Sequence, residues 1–248
     1  VAEAIAKGAG CIIVSKHQAV FMALAVLKAK PLPCRLIGDQ LSAGIILVED
    51  TLLALSSLAY WHRKRFGIPV ICVTGSNGKT TTKEMLGRLL SSKYKVLKNE
   101  GTQNNTIGLS LTLLKLRKEH EAVVLELGTN HFGEIKELAR IAAPNVGIIT
   151  NIGPAHLEFF GDEKGVLREK WSLIEELAFP RIAILNADDD LLKEKIFSPG
   201  DVTVFTFGIK NKADWTAKKI VSGKSKTSFM IKNYPIELDS PAKVNVYN

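Results

Sequence analysis

The sequence predicts an α/β fold: a mostly parallel sheet with helices on both faces, of the P-loop type, preceded by part of a smaller α/β domain. Three observations carry this reading. Six short apolar runs recur between residues 69 and 208: "PVICVTG", "YKVLKN", "AVVLELG", "VGIITNIG", "RIAILN" and "DVTVFTFG". Amphipathic stretches separate the first five of them, beginning near Lys79, Asn105, Gly133 and Asp162. The first run also opens into a glycine-rich turn, "TGSNGKTT", ahead of a helix. Strands that are apolar throughout are buried on both faces, and their alternation with amphipathic helices marks a parallel sheet.

The elements follow in order. "VAEAIAKGAG" reads as helix, "CIIV" as a short buried strand, and "AVFMALAVLKAK" as a helix stopped by Pro31 and Pro33. "GIILVED" is a second strand, and "TLLALSSLAYWHRKRF" a helix with Thr51 as its expected cap and basic residues in its last turn. "GIP" at 67–69 breaks the pattern, so the domains are expected at 1–66 and 67–248. After Gly208 the pattern turns polar and alternating, in "KTSFMIKN" and "YPIELDS", as expected of antiparallel strands at a sheet edge.

Composition narrows the class. A chain of 248 residues, 46% hydrophobic and 23% charged, has the make-up of a soluble globular protein. Its longest apolar run, Ala19 to Leu27, is too short to cross a bilayer, so no membrane partner is expected. Cys11, Cys34 and Cys72 are widely spaced in apolar surroundings, which reads as reduced core thiols in a cytoplasmic protein. The net charge of +8 suits nucleic acid or anionic small molecules; the lysines are scattered and aromatics are only 7%, which disfavours nucleic acid. The chain opens on Val1 without a charged-then-apolar leader and stops on a periodic stretch, so a piece of a longer protein is expected.

The loop "VTGSNGKTTTKE" departs from the usual phosphate-binding pattern, which wants glycine six residues before the lysine. That position is Val73; the nearest upstream glycine is Gly75. The context is nonetheless that of a phosphate loop. Gly75 and Gly78 permit positive φ, so the amides of Gly75, Ser76, Asn77 and Gly78 can wrap an anion at a helix N-terminus. Lys79 supplies a cation for terminal phosphates, and Thr80 or Thr81 a hydroxyl for Mg²⁺. Glu126, ending a buried strand, is read either as a metal ligand or as a salt-bridge partner, because an uncompensated carboxylate there is costly. His156 follows the next strand and is either a ligand or a packed residue; Lys170, by spacing alone, is a surface residue.

Taken in order, "TGSNGKTTTKE", "QNNTIGLSLTLL", "LELGTNHFGEI" and "TNIGPAHLEFFG" followed by "EKW" resemble the Mur ligase family of peptidoglycan precursor enzymes. "TTTKEM", "NNTIG" and "GTNHFGEI" are similar to the branch that adds D-alanyl-D-alanine to UDP-N-acetylmuramoyl-tripeptide. The resemblance runs from about "GIILVED" to the end; folylpolyglutamate synthases share the fold and differ at the loop.

It implies an ATP-dependent ligase with Mg²⁺, acting through an acyl phosphate on those two substrates, as a monomer. Lys79 and Thr80 would bind ATP phosphates and Mg²⁺; Glu126 and His156 would match metal-site residues. Lys170 would match the lysine that takes up CO₂ as a carbamate, turning a cation into an anionic ligand; as an ammonium it has no lone pair to offer. Asn104, Asn105 and Thr106 would lie near nucleotide and acceptor, Asn248 would be an adenine-side asparagine, and His131 sits in a family motif without an assigned role. Ala242 and Val244 stand where the family has glycine and histidine, and the 15–40 connection fits it less well. The family's C-terminal domain is not in this stretch, which alone is not expected to complete ligation. Two alternatives stay open: another branch adding a single amino acid, and a nucleotide-binding module without catalysis.

Overall fold

The computed structural model describes residues 7, 9–17, 44–196 and 200–248. The helix expected over 19–30, residues 1–6 and 8 of that expected over 1–10, and Cys34 lie outside the described residues. Backbone contacts divide the chain into two compact units, Val1–Ser57 and Leu58–Asn248.

In the first unit β1 (Cys11–Ser15) and β2 (Gly44–Val48) pair in parallel, Cys11 opposite Gly44. Cys11 is exposed, against the expectation of a core thiol: it opens an edge position, where Val14 is the buried residue. Cys72, in the second unit, is a fully buried thiol whose pKa burial pushes up. Helix α1 (Thr51–Lys64) begins in the first unit and runs across the division between Ser57 and Leu58. Its cap is Asp50 rather than Thr51: the Asp50 carboxylate accepts from Leu52 N (2.7 Å) and Leu53 N (2.9 Å). The far end of the helix is tied down within the second unit. Buried Arg63 donates to Ala142 O (3.1 Å), Phe66 O (2.6 Å) and Ile68 O (3.2 Å), and His62 Nε2 lies 3.0 Å from Leu116 O.

The second unit alternates as the sequence predicts: β3 (Val70–Thr74), α2 (Lys79–Ser91), β4 (Val96–Lys98), α3 (Thr106–Leu113), β5 (Ala122–Glu126), α4 (Glu134–Ala142), β6 (Val146–Ile149). Then come α5 (Leu157–Phe160), α6 (Glu163–Glu175), β7 (Ile182–Asn186), α7 (Asp190–Ile196) and β8 (Thr203–Gly208), followed by β9 (Trp215–Ser222), β10 (Thr227–Ile231) and β11 (Tyr234–Leu238). Helix starts are set by local chemistry. Asn105 caps α3 by accepting from Gly108 N (2.9 Å), and Asp162 caps α6 by accepting from Gly165 N (2.8 Å). The sequence pattern does not announce α7, whose "DLLKEKI" has too few apolar positions to show a helical face.

The sheet order is β11-β10-β9-β8-β7-β6-β3-β5-β4, parallel from β4 through β9. The chain leaves β3 for β4 at one side and later moves from β5 over β3 to β6 at the other. Right-handed crossovers then put α2 on one face and the row α3, α4, α6, α7 on the opposite one. Gly147 in β6 lets that row sit close: a Cβ there would lie 2.8 Å from Ile174 Cδ1. Leu109, Leu125, Leu138, Ile149, Leu173 and Leu185 are at most 1% exposed, each worth about 2 kcal/mol in transfer from water.

The two stretches expected as antiparallel edge strands are β10 and β11, and between them and the parallel strands lies β9, which the sequence reading did not place. β9 is parallel to β8, pairing only where β8 ends (Phe207 with Trp215, Gly208 with Thr216), so it carries the sheet onward past the carboxyl ends; β10 and β11 are the antiparallel pair. Among the described residues no helix is long and apolar enough to cross a membrane.

Candidate active site

The reversal of chain direction makes a crevice between the loops leaving β3 and β6, the place where such sheets hold ligands. The β3 loop is seated on the β6 loop by a set of reciprocal bonds. Ser76 N donates to Asn151 O (2.9 Å), Asn77 N to Asn151 Oδ1 (3.0 Å), and Gly153 N to Ser76 Oγ (2.9 Å). Thr150 Oγ1 and Asn151 Nδ2 both donate to Asn77 O, at 2.6 and 3.0 Å.

This seat explains the displaced glycine. Gly75 has φ 149°, and a Cβ on it would lie 1.9 Å from Thr150 Oγ1. Gly78, left-handed at φ 81°, begins α2, and a Cβ there would lie 2.2 Å from Asn248 Oδ1. Both glycines are demanded by what the loop packs against. Position 73, where the generic pattern wants glycine, is a fully buried valine of β3.

Lys79 folds back over the loop, donating to Gly75 O (2.8 Å) and Ser76 O (3.1 Å). Burial lowers its pKa, and the Glu126 charge pulls the other way. Glu126, 2% exposed at the end of β5, accepts from Thr80 Oγ1 on Oε2 (2.7 Å) and from Asn104 Nδ2 on Oε1 (2.9 Å). Of the two readings of Glu126, the salt bridge is not formed: its oxygens are held by neutral donors. Asn99 fixes the strand end around it, donating to Glu126 O (3.1 Å) and accepting from Glu126 N (2.9 Å). Gly128 N donates to Asn104 O (3.0 Å), closing the loop on itself.

Lys170 is not on the surface. It is 2% exposed in the middle of α6, because the helix turns that face toward the sheet. Burial, then the charge of Lys79, push its pKa down to about 8, with Glu169 opposing. Glu169 faces another way: it accepts from Gly133 N (2.7 Å), Ile135 N (2.8 Å) and Thr129 Oγ1 (3.2 Å), tying α6 to the start of α4.

Lys79, Asn104, Asn105, Thr106 and His156 line one cavity of about 350 Å³, together with Thr129, Asn130, Glu134 and Glu137. His156 is exposed, holds a left-handed φ of 51° ahead of α5, and stands edge-on to Phe160 at 6.4 Å. Among the described residues, no hydrogen bond joins it to Glu126 or Lys170, and no three His, Cys, Asp or Glu side chains converge as a metal cluster. Thr81 is half-buried and Thr80 is the threonine bonded to Glu126. Asn248 reaches the loop from the chain end, accepting from Thr82 Oγ1 (3.3 Å). His131 packs at a tilt against Phe159 (4.3 Å between ring centres) with its Nδ1 3.3 Å from Glu134 Oε1.

Sequence reasoning passed over several residues that hold these groups in place. Lys83 is fully buried, donating to Asn99 O (2.9 Å) and pairing with Glu84 (3.0 Å); its signal was the "KE" after the threonines. Glu169 is masked by its neighbour Lys170, and the acidic residues that follow "RIAILN" carry no pattern that points to the site.

A mostly parallel α/β sheet with a glycine-lysine-threonine loop at its switch point, a buried carboxylate one hydroxyl away and a polar cavity beside them makes this an α/β domain of the P-loop type. The sequence profile of the Mur ligase middle domain matches residues 73–248. The UDP-N-acetylmuramoyl-tripeptide--D-alanyl-D-alanine ligase of Bacillus subtilis (strain 168) is 38% identical over 189 residues, 76% of this chain and 40% of its own length. MurF from Acinetobacter baumannii superposes with a TM-score of 0.81 at 32% identity, covering 96% of this chain and 54% of that one. MurF ligase from Thermotoga maritima in complex with ADP gives 0.77 at 28% identity, covering 96% and 58%. The chain belongs to the Mur ligase family. It spans well under two thirds of the length of these relatives.

Proposed function

We propose that the full-length protein is an ATP-dependent amide ligase that joins D-alanyl-D-alanine to UDP-N-acetylmuramoyl-tripeptide. The observation that carries this is the Thr80–Glu126 bond beside Lys79, at the edge of the cavity lined by Asn104–Thr106. The names of the relatives above supply the substrates.

The loop Gly75–Thr81 and the N-terminus of α2 receive the phosphates, and Lys79 leaves its carbonyl partners for the terminal one. Thr80 and Glu126 fit Mg²⁺, setting two hard oxygen donors side by side, the carboxylate buried and the threonine exposed. Lys170, an amine that burial drives toward its neutral form, would take up CO₂ as a carbamate and add an anionic oxygen to that set, and His156, on the cavity wall, would be a further ligand. Bound Mg²⁺ supplies charge neutralisation for phosphoryl transfer.

The tripeptide carboxylate takes up the terminal phosphoryl group, ADP leaves, the free amine of the dipeptide attacks the acyl phosphate, and phosphate departs. No protein nucleophile is needed. The residues' task is to hold two anions in line and to keep water from the activated carboxyl. In this reading residues 67–248 are the ATP-binding domain, residues 1–66 part of the UDP-substrate domain, and Asn248 a contact on the adenine side. In this reading the enzyme works in the cytoplasm, where ATP and UDP-linked sugars are made, and as a monomer.

The test is ADP release by the full-length protein with UDP-N-acetylmuramoyl-tripeptide and a panel of amines. D-alanyl-D-alanine should give turnover and single amino acids none; turnover with a single amino acid but not the dipeptide rejects the proposal.

A further inference from the structure

The "NADDD" turn that ends β7 lies outside every assigned role, yet its side chains reach three separate loops of the site. Asn186 Nδ2 donates to Thr150 O (3.0 Å), and Asp189 Oδ2 accepts from Ile152 N (2.6 Å), so both grip the β6 loop on which the phosphate loop is seated. Asp188 faces the other way. Its carboxylate takes Ile209 N (2.6 Å), Lys210 N (2.9 Å) and Asn211 N (2.6 Å) from the turn after β8, and Tyr247 Oη (2.9 Å) from the chain end. The space is filled from behind as well: a Cβ on Gly208 would lie 3.2 Å from Asp188 Oδ1. Four donors on one carboxylate make a rigid clamp, since bonds to a charged acceptor are the strong kind.

The residue after Tyr247 is Asn248. Its Oδ1 accepts from Thr82 and lies where a side chain on Gly78 would go, and its Nδ2 donates to Asn245 Oδ1 (3.1 Å). The path is short and continuous: Asp188 holds the Tyr247 hydroxyl, and Tyr247 sets the backbone that lays Asn248 against the start of α2. We infer that Asp188 is a positioning residue for nucleotide binding, acting through Tyr247 to hold Asn248 against the phosphate loop. The inference rests on the proposed ATP site and on Asn248 as a nucleotide contact.

A double-mutant cycle on the full-length protein, read by ADP affinity in calorimetry, tests it. Tyr247→Phe removes one hydroxyl and keeps the ring, so the turn after β8 stays clamped to Asp188. It should weaken ADP about tenfold in the parent, the size expected for losing one bond to a charged partner. In an Asn248→Ala background the same change should cost less than about twofold, because the residue it positions is gone. Asp188→Asn should resemble Tyr247→Phe or exceed it. An unchanged ADP affinity in Tyr247→Phe, or an equal loss in both backgrounds, overturns the positioning role while leaving the ATP site standing. An Asn248→Ala protein that binds ADP as the parent does removes the nucleotide contact itself, and the inference with it.

Discussion

Thr80 Oγ1 donates to Glu126 Oε2 at 2.7 Å, across the gap between the first turn of α2 and the end of β5. The bond joins the phosphate loop to a buried carboxylate beside it, and it is the link on which metal and nucleotide binding would depend. Thr80→Val keeps the shape and removes the donor. It should lower kcat/KM by about a hundredfold, as loss of one charge-assisted contact and a metal ligand together imply, with an unfolding midpoint close to the parent's. Glu126→Gln should do at least as much and raise the Mg²⁺ concentration for half-maximal rate. Steady-state rates across a Mg²⁺ titration check both.

Gly75 is held at φ 149° with Thr150 Oγ1 in the space of its missing side chain. Gly75→Ala therefore has to strain the backbone and push Thr150 off Asn77 together. A loss of about 3 kcal/mol in urea unfolding is expected, with nucleotide binding abolished. Pairing it with Thr150→Gly should recover part of the stability. A fully stable Gly75→Ala protein would contradict the packing account.

Lys83 is a fully buried cation that holds the loop carrying Asn99 and Asn104. Burying a charge is costly unless its partners are in place, and here carbonyls and Glu84 provide them. Lys83→Met should fold, because it removes charge and desolvation penalty alike, yet leave Asn99 O and Gly101 O unpaired. The expected result is kcat/KM down at least about tenfold with stability within about 2 kcal/mol of the parent. Circular dichroism melting beside rate measurements separates the two effects.

Lys170 carries a pH signature. Its pKa falls from 10.5 in the open chain to about 8 in the fold, burial being the main cause. The depressed value means the ammonium form opposes folding: the penalty is full below pH 8 and fades as pH rises toward 10.5. Lys170→Met removes it. In CO₂-free buffer, the stability advantage of Lys170→Met over the parent should shrink by about 3 kcal/mol between pH 7 and pH 10.5. A difference that stays constant with pH would mean the ammonium is solvated.

Much of this was legible in the sequence because periodicity and capping report burial directly. The apolar runs became the parallel strands, and Asn105 and Asp162 cap helices where the polar-to-apolar switch falls. The loop was legible as an anion site, but the reason for its glycine spacing was not, since Thr150 and Asn248 meet it from remote parts of the chain. Lys170 could not be told from a surface lysine, because a lone lysine in an amphipathic helix carries no sign of the face it turns inward. Asp188 and Glu169 were hidden for a related reason: a carboxylate that collects backbone amides leaves no pattern in side-chain types.

The central claim, phosphoryl transfer from ATP to the acceptor carboxylate, is open to one direct measurement. The full-length protein is given UDP-N-acetylmuramoyl-tripeptide labelled with ¹⁸O in its terminal carboxylate, together with ATP and D-alanyl-D-alanine, and the released phosphate is analysed by mass. An acyl phosphate carries one labelled oxygen from the carboxylate into inorganic phosphate, and that is the predicted result. Phosphate without label, or label appearing in AMP, would contradict the account.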